Sequence, residues 1–319
     1  MAQQTTGAPT PPNLIRAVND RAALEALARR GSLTRPEVGA LLGLSKPTAS
    51  ELLARLQQAG LVVSLGVREG GPGRAAGLYG INPQIGHVGC VDVTPSGVEV
   101  RVADILGAVV GEHRVPTPGR TAPDIVALLR DGLAGACEPA GLGIGDLRHA
   151  VIGIQGALNP YTGKLGYAAH LAGWHRPDLR ESLSTGLGVP VAVENDVNLA
   201  ALAEQAHGLA GDSRDFLLLW ASDGLGMALV INGRLHRGAT GGAGEVGYMP
   251  APGAPIPHPT ARPANYGFHA LAGGPALRKA LRPYGFHGGT AATAVQAAAR
   301  TWGATAPEVA DRAAGGLGE

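Results

Sequence analysis

The chain is short of cysteine, aromatic residues and lysine, and each shortage narrows what it can be. Cys90 and Cys137 are the only cysteines in 319 residues. Two thiols 47 positions apart fit neither a zinc-ligand spacing nor a disulfide framework, so a reducing cytoplasm is expected. Aromatic residues make up 4% against 45% apolar, so the core must come from Ala, Leu and Val packed closely around many of the 50 glycines. Lysine occurs only at positions 46, 164 and 279, and arginine carries nearly all the basic charge. No window of about 18 apolar residues is free of charge, so no membrane span is expected. The start, Met1 to Pro12, has no basic stretch followed by an apolar one and does not read as a leader.

The length allows two or three compact units. The net charge of +1 is unevenly spread. Residues 1–83 hold nine Lys/Arg and five Asp/Glu, a balance of +4, and the rest balances at −3. A small basic unit on a mildly acidic body fits an N-terminal segment that meets phosphate. Divisions are expected at 1–12 (a disordered tail), 13–83, 84–312 and 313–319 (a second tail).

Leu14 to Arg30 reads as a helix, with Leu14, Ile15, Val18, Leu24 and Leu27 as expected buried positions. Thr34-Arg35-Pro36-Glu37 has the form of a capping box, and Pro36 falls in the first turn, where its missing donor costs nothing. Gly43-Leu44-Ser45 is a tight break, with Ser45 a good cap for a second helix, Lys46 to Ala59. Ala49, Leu52, Leu53 and Leu56 then form one buried stripe, and Lys46, Thr48, Ser50, Glu51 and Arg55 lie off it. Short helix, glycine-containing turn and a helix with a polar outer face make a helix-turn-helix. Two short strands follow, Leu61 to Leu65 and Leu78 to Ile81, around the glycine-rich loop Arg68 to Arg74. That is the pattern of a wing. Arg74 near its tip suits a minor groove, Ser45 and Lys46 suit phosphates, and Thr48 and Ser50 suit base edges. With Arg35 and Arg55 these residues are the expected contacts to double-stranded DNA.

Beyond Asn82-Pro83 the pattern changes. His87 to Val93, Val98 to Asp104, Ala108 to Val115, Ala150 to Ile154 and Val191 to Val193 read as strands. Ala122 to Cys137 and Val197 to Gly208 read as helices, and Phe216 to Trp220 and Met227 to Ile231 as further strands. Strands alternating with helices predict an α/β sheet. Several local sequences recur in a fixed order: Gly153-Ile154-Gln155-Gly156-Ala157, Leu171-Ala172-Gly173-Trp174, Glu194-Asn195-Asp196-Val197-Asn198, Ser222-Asp223-Gly224-Leu225-Gly226, Asn232-Gly233-Arg234-Leu235, and Gly241-Gly242-Ala243-Gly244-Glu245-Val246-Gly247. In that order and spacing they resemble the ROK family of repressors and sugar kinases, over residues 84 to 282. With the preceding winged helix, the chain is similar to the family's repressor branch. The resemblance implies an actin-like ATPase fold and a sugar held by Asn195, Asp196 and Glu245. It also implies a homodimer on a two-fold symmetric operator. The chemistry is sound independently, because an amide beside a carboxylate can match adjacent hydroxyls. Asn195-Asp196 directly after an apolar strand also stands where α/β sheets bind ligands. Asp196 is equally suited to capping the helix that follows.

The family's kinases hold ATP phosphates with a glycine-paired hairpin turn and a threonine-bearing second turn. Thr94-Pro95 and Ser222-Asp223 stand there instead. Proline has no N–H to donate, and a carboxylate repels a triphosphate. Asp196 would be the base if the chain were a kinase. The family's zinc-binding His is Tyr248 here, no cysteine follows Cys137, and His258, His269 and His287 lack ligand spacing, so neither metal nor cofactor is expected. The later helices and adenosine segment that the resemblance implies have no match, and the second lobe is expected to be incomplete. The expected function is a sugar-responsive, cytoplasmic DNA-binding regulator, a repressor and not an enzyme. A sugar kinase with a DNA-binding appendage is the alternative.

Overall fold

The computed structural model describes residues 11–68, 75–94, 97–116, 124–168, 171, 173–221, 224–255 and 266–302. By its contacts the chain divides into two units. One comprises Met1–Gly89, Arg101–Glu112 and Ala134–His149, and the other Cys90–Val100, His113–Leu133 and Ala150–Glu319.

The first unit opens with α1 (Pro11–Arg30), β1 (Ser32–Thr34), α2 (Arg35–Leu42) and α3 (Lys46–Gln58). The hairpin β2 (Val62–Arg68) and β3 (Ala76–Ile81) follows, and β1 pairs antiparallel with β3 to give a three-stranded sheet, β1-β3-β2. Thr34 begins α2 as expected: its hydroxyl accepts the Glu37 N–H, and the Glu37 carboxylate accepts the Thr34 N–H at 2.7 Å. Gly43 ends the helix in the left-handed region (φ 64°), and Ser45 caps α3. Ala49, Leu52, Leu53 and Leu56 are buried along one stripe of α3, in a core shared with Ala23, Leu27, Val38, Val62 and Tyr79.

The first half of α1 departs from expectation. Leu27 is buried, but Leu14, Ile15 and Val18 are 51%, 63% and 59% exposed. Among the described residues the head's core takes in only the second half of α1. The strand β1 was not anticipated, because three residues carry no alternation to read.

The remaining elements begin with β4 (His87–Thr94), β5 (Gly97–Asp104), β6 (Val109–Pro116) and α4 (Ile125–Cys137). Next come β7 (Leu147–Ile154), the small pair β8 (Ala157–Leu158) and β9 (Leu165–Gly166), α5 (Leu179–Leu187), β10 (Val191–Asn195) and α6 (Asp196–His207). A second sheet is built from β11 (Phe216–Ala221), β12 (Leu225–Ile231) and β13 (Arg234–Leu235), and three helices close the described part: α7 (Gly267–Ala272), α8 (Gly274–Leu281) and α9 (Ala291–Trp302). The five-stranded sheet has the order β10-β7-β4-β5-β6. Its β7 and β10 run parallel, with Asn195 opposite Ile154. Ile152 and Ile154 are fully buried, as is usual where helices cover a parallel sheet. Val197 and Ala201 of α6 pack on Ala228 and Val230 of β12. No described helix is long and apolar enough to cross a membrane.

Candidate functional sites

Two places gather the expected residues, one in each unit. In the winged head, Ser45, Lys46 and Thr48 are exposed at the start of α3, and Ser50 is half-buried. The Ser45 and Thr48 hydroxyls lie 2.8 Å apart, so part of their capacity is spent on the cap. Arg35 donates through Nε to the Tyr79 hydroxyl at 2.8 Å, and its guanidinium carbon lies 5.4 Å from the centre of that ring. Arg55, expected as a DNA contact, has an acidic partner within the head. Its guanidinium is bound by both oxygens of Asp20, which ties α3 to α1. A charge already matched inside the protein has little left for phosphate. Arg68 is matched likewise, donating to Glu37 at 2.6 Å and joining β2 to the start of α2. The Thr34 N–H, then its hydroxyl, then Arg68 hold the Glu37 carboxyl down at about 2. Arg74 lies outside the described residues.

In the second unit the site forms where β7 and β10 end side by side. Asn195, the last residue of β10, caps α6 by accepting the Asn198 N–H at 3.1 Å. Its Nδ2 donates to the Gly156 carbonyl at 2.9 Å, across the end of β7. The cap therefore belongs to Asn195 and not to Asp196, and one N–H of the Asn195 amide is left for a ligand. Glu194 braces the turn: Oε1 accepts from Asn195 N and Asn198 Nδ2, and Oε2 accepts from Arg237 Nε at 2.7 Å. Asp196 accepts the Val197 N–H through Oδ1. Burial, with Asp92 adding like charge, pushes its carboxyl above the ordinary aspartate range.

Glu245 is brought to the same place by two glycines. A Cβ on Gly244 would stand 1.7 Å from the Met227 carbonyl oxygen, so only glycine lets this segment lie on β12, where the Met227 N–H donates to the Gly244 carbonyl at 3.0 Å. A Cβ on Gly247 would strike the His269 ring at about 2.1 Å. Glu245 is half-buried there, and this burial plus the charge of Asp196 raises its carboxyl to about 7. The cavity beside Asn195, Asn198, Met227 and Glu245 holds only about 20 Å³.

Tyr248, at the position of the family's zinc ligand, donates its hydroxyl to the Tyr167 carbonyl at 3.0 Å. Its ring stands 5.1 Å from those of Tyr167 and His269 and 5.9 Å from that of Tyr266. Burial raises its phenol above the ordinary range, so it offers a neutral oxygen and no metal-binding nitrogen. Among the described residues no group of three His, Cys, Asp or Glu side chains is placed to hold a metal. Thr94 donates its hydroxyl to the Gly97 carbonyl, while Pro95, Ser222 and Asp223 lie outside the described residues. Sequence reasoning missed Tyr79, Asp92, Tyr167 and the bracing role of Glu194. Their partners are remote in sequence or chemically generic, and no local spacing marks them.

A winged head followed by an actin-like body, with half-buried carboxylates at Asp196 and Glu245, defines a class: a winged-helix module joined to a sugar-kinase-like fold. The ROK family model matches residues 88–296, well over half the chain, and the chain belongs to that family. A MarR family model matches residues 18–75, within the head. The xylose repressor of Caldicellulosiruptor bescii is 28% identical over 242 residues, covering 74% of this chain and 59% of the repressor. The glucokinase of Streptomyces coelicolor is 31% identical over 159 residues, covering 50% of this chain and 48% of the enzyme. A solved ROK family transcriptional regulator, a homologue of the Escherichia coli MLC protein, shares the fold at a TM-score of 0.61 and 22% identity, covering 85% of this chain and 68% of that one. The chain spans about three fifths of the length of the repressor it matches.

Proposed function

We propose that the protein is a cytoplasmic, sequence-specific transcriptional regulator, a repressor of carbohydrate-related genes that releases its operator when a sugar binds the body. The observation that carries this reading is the division of labour along α3. Its apolar stripe is buried in the head, while Ser45, Lys46 and Thr48 stand exposed at its start, as a groove-reading helix requires. Lys46 and Ser45 would meet phosphates, Thr48 and Ser50 base edges, and Arg74 the minor groove. In the body, the half-buried carboxylates of Asp196 and Glu245, with the remaining amide N–H of Asn195, suit the hydroxyls of a neutral sugar. Sugar can act on DNA affinity only by binding two states of the protein unequally. A homodimer with two heads would read a pseudo-palindromic site.

The family resemblance leaves phosphoryl transfer to be considered, and the likeness to a glucokinase is one observation in its favour. We infer binding without turnover, because Thr94-Pro95 and Ser222-Asp223 replace the backbone donors a triphosphate needs. Genomic footprinting tests the regulator: sites beside transport or catabolic genes are expected, and their absence would sink the reading. ATP turnover with a panel of hexoses, xylose and N-acetylhexosamines tests the second point, and robust phosphorylation would overturn it.

A further inference from the structure

The cavity at the carboxylates is small, but a cleft of about 490 Å³ opens in the winged head. Arg35 and Pro36 line it from α2, Leu44 from the turn, Lys46 and Ser50 from α3, and Tyr79 from β3. Beside Tyr79 the wall is Ala76 and Gly77 of β3 and Ala75 just before it, residues small enough to keep the cleft open. Two chemistries therefore face one space, a pair of cations and a set of apolar surfaces.

The cations differ from their neighbours. Arg55 and Arg68 are matched by Asp20 and Glu37, whereas no carboxylate pairs with Arg35 or Lys46 among the described residues. Arg35 is nevertheless held in place. Its Nε is spent on the buried Tyr79 hydroxyl, and the ring lies beside the guanidinium. The two terminal nitrogens hold no hydrogen bond to a described residue, so their donors are available as a fork. A planar fork beside an ammonium matches the oxygens of a phosphodiester. Pro36 and Leu44 match the C–H faces of the sugar attached to it. The cleft opens beside the exposed start of α3, which favours duplex DNA over a free anion.

We propose that this cleft seats one phosphodiester of duplex DNA with its flanking deoxyribose, and that Tyr79 is a positioning residue for Arg35. The proposal rests on the DNA-binding reading of the head and adds to it a fixed backbone contact. That contact would set the register of α3 without reading sequence.

The test is duplex affinity of the full chain across a salt series. Arg35→Ala should weaken binding about tenfold, alike on operator and random duplex, and reduce the salt slope by about 0.9, the loss of one phosphate contact. Tyr79→Phe should weaken binding several-fold with an unchanged melting temperature, and should add nothing in the Arg35→Ala background. Unchanged affinity and slope in both variants, with wild-type protein binding normally, would overturn the proposal. So would thermal stabilisation by inorganic phosphate that depends on Arg35 while duplex affinity does not. Failure of wild-type protein to bind any duplex is a different result and counts against the DNA-binding reading itself.

Discussion

The winged head and the carboxylate site are organised in opposite ways around charge. The head matches Arg55 and Arg68 internally and leaves Arg35 and Lys46 facing an open cleft. The site at the ends of β7 and β10 does the reverse. It half-buries Asp196 near Asp92 and Glu245 near Asp196, like charge beside like charge, and leaves very little room beside Glu245. An exposed cation costs little while it waits for a polyanion. A half-buried carboxylate beside another carboxylate is held at a cost, which added hydrogen-bond donors would relieve.

Four changes sharpen or break this contrast. The largest effect belongs to Gly244→Val, which would drive a side chain into the Met227 carbonyl; it should destabilise the body by about 4 kcal/mol or more in thermal melting and abolish any sugar response. Leu53→Ala, at a fully buried position of α3, should cost the head about 2–5 kcal/mol and remove duplex binding while sugar-induced stabilisation persists. Loss of both responses together would show that the two regions do not fold independently.

Glu245 supplies the third. Its carboxyl titrates near 7 in the folded chain against an ordinary value of 4.5, so folding carries no penalty from it below that ordinary value and an increasing one as pH rises to about 7. Melting temperature should fall across that window, and Glu245→Gln should flatten the fall. An unaltered profile in the variant would show that the carboxylate is not held as described. The smallest effect is expected from Arg55→Met. Because Arg55 is bound to Asp20, it should lose no more than about 1 kcal/mol of stability and change duplex affinity less than about twofold. A tenfold loss would return Arg55 to the DNA interface.

Local chemistry was legible in the sequence where spacing alone decides it. The Thr34–Glu37 capping box, the glycine break at Gly43 and the α3 stripe all follow from intervals of three and four residues. The glycines around Glu245 were legible as a motif, although their reason is the approach of β12, which no interval reveals. Long-range partnerships were not legible. Arg55 reads like any polar residue on the outer face of α3, and nothing near it in sequence points to Asp20, 35 positions earlier. Arg35 likewise gave no sign of Tyr79, 44 positions later. Asn195 was correctly placed at a strand end, but its tether to Gly156 depends on the parallel register of β7 and β10. The exposed face of Leu14, Ile15 and Val18 shows the same limit, because a helical stripe says nothing of whether a neighbour reaches it.

The most direct test is anisotropy of a fluorescent duplex, selected by the protein from a random pool, titrated with the full chain with and without a panel of unphosphorylated monosaccharides. At least one sugar should lower duplex affinity about tenfold, a coupling of about 1.4 kcal/mol. Asp196→Asn should erase that shift while leaving sugar-free affinity intact. A duplex affinity that no sugar alters, or a sugar effect that survives Asp196→Asn, would contradict the account.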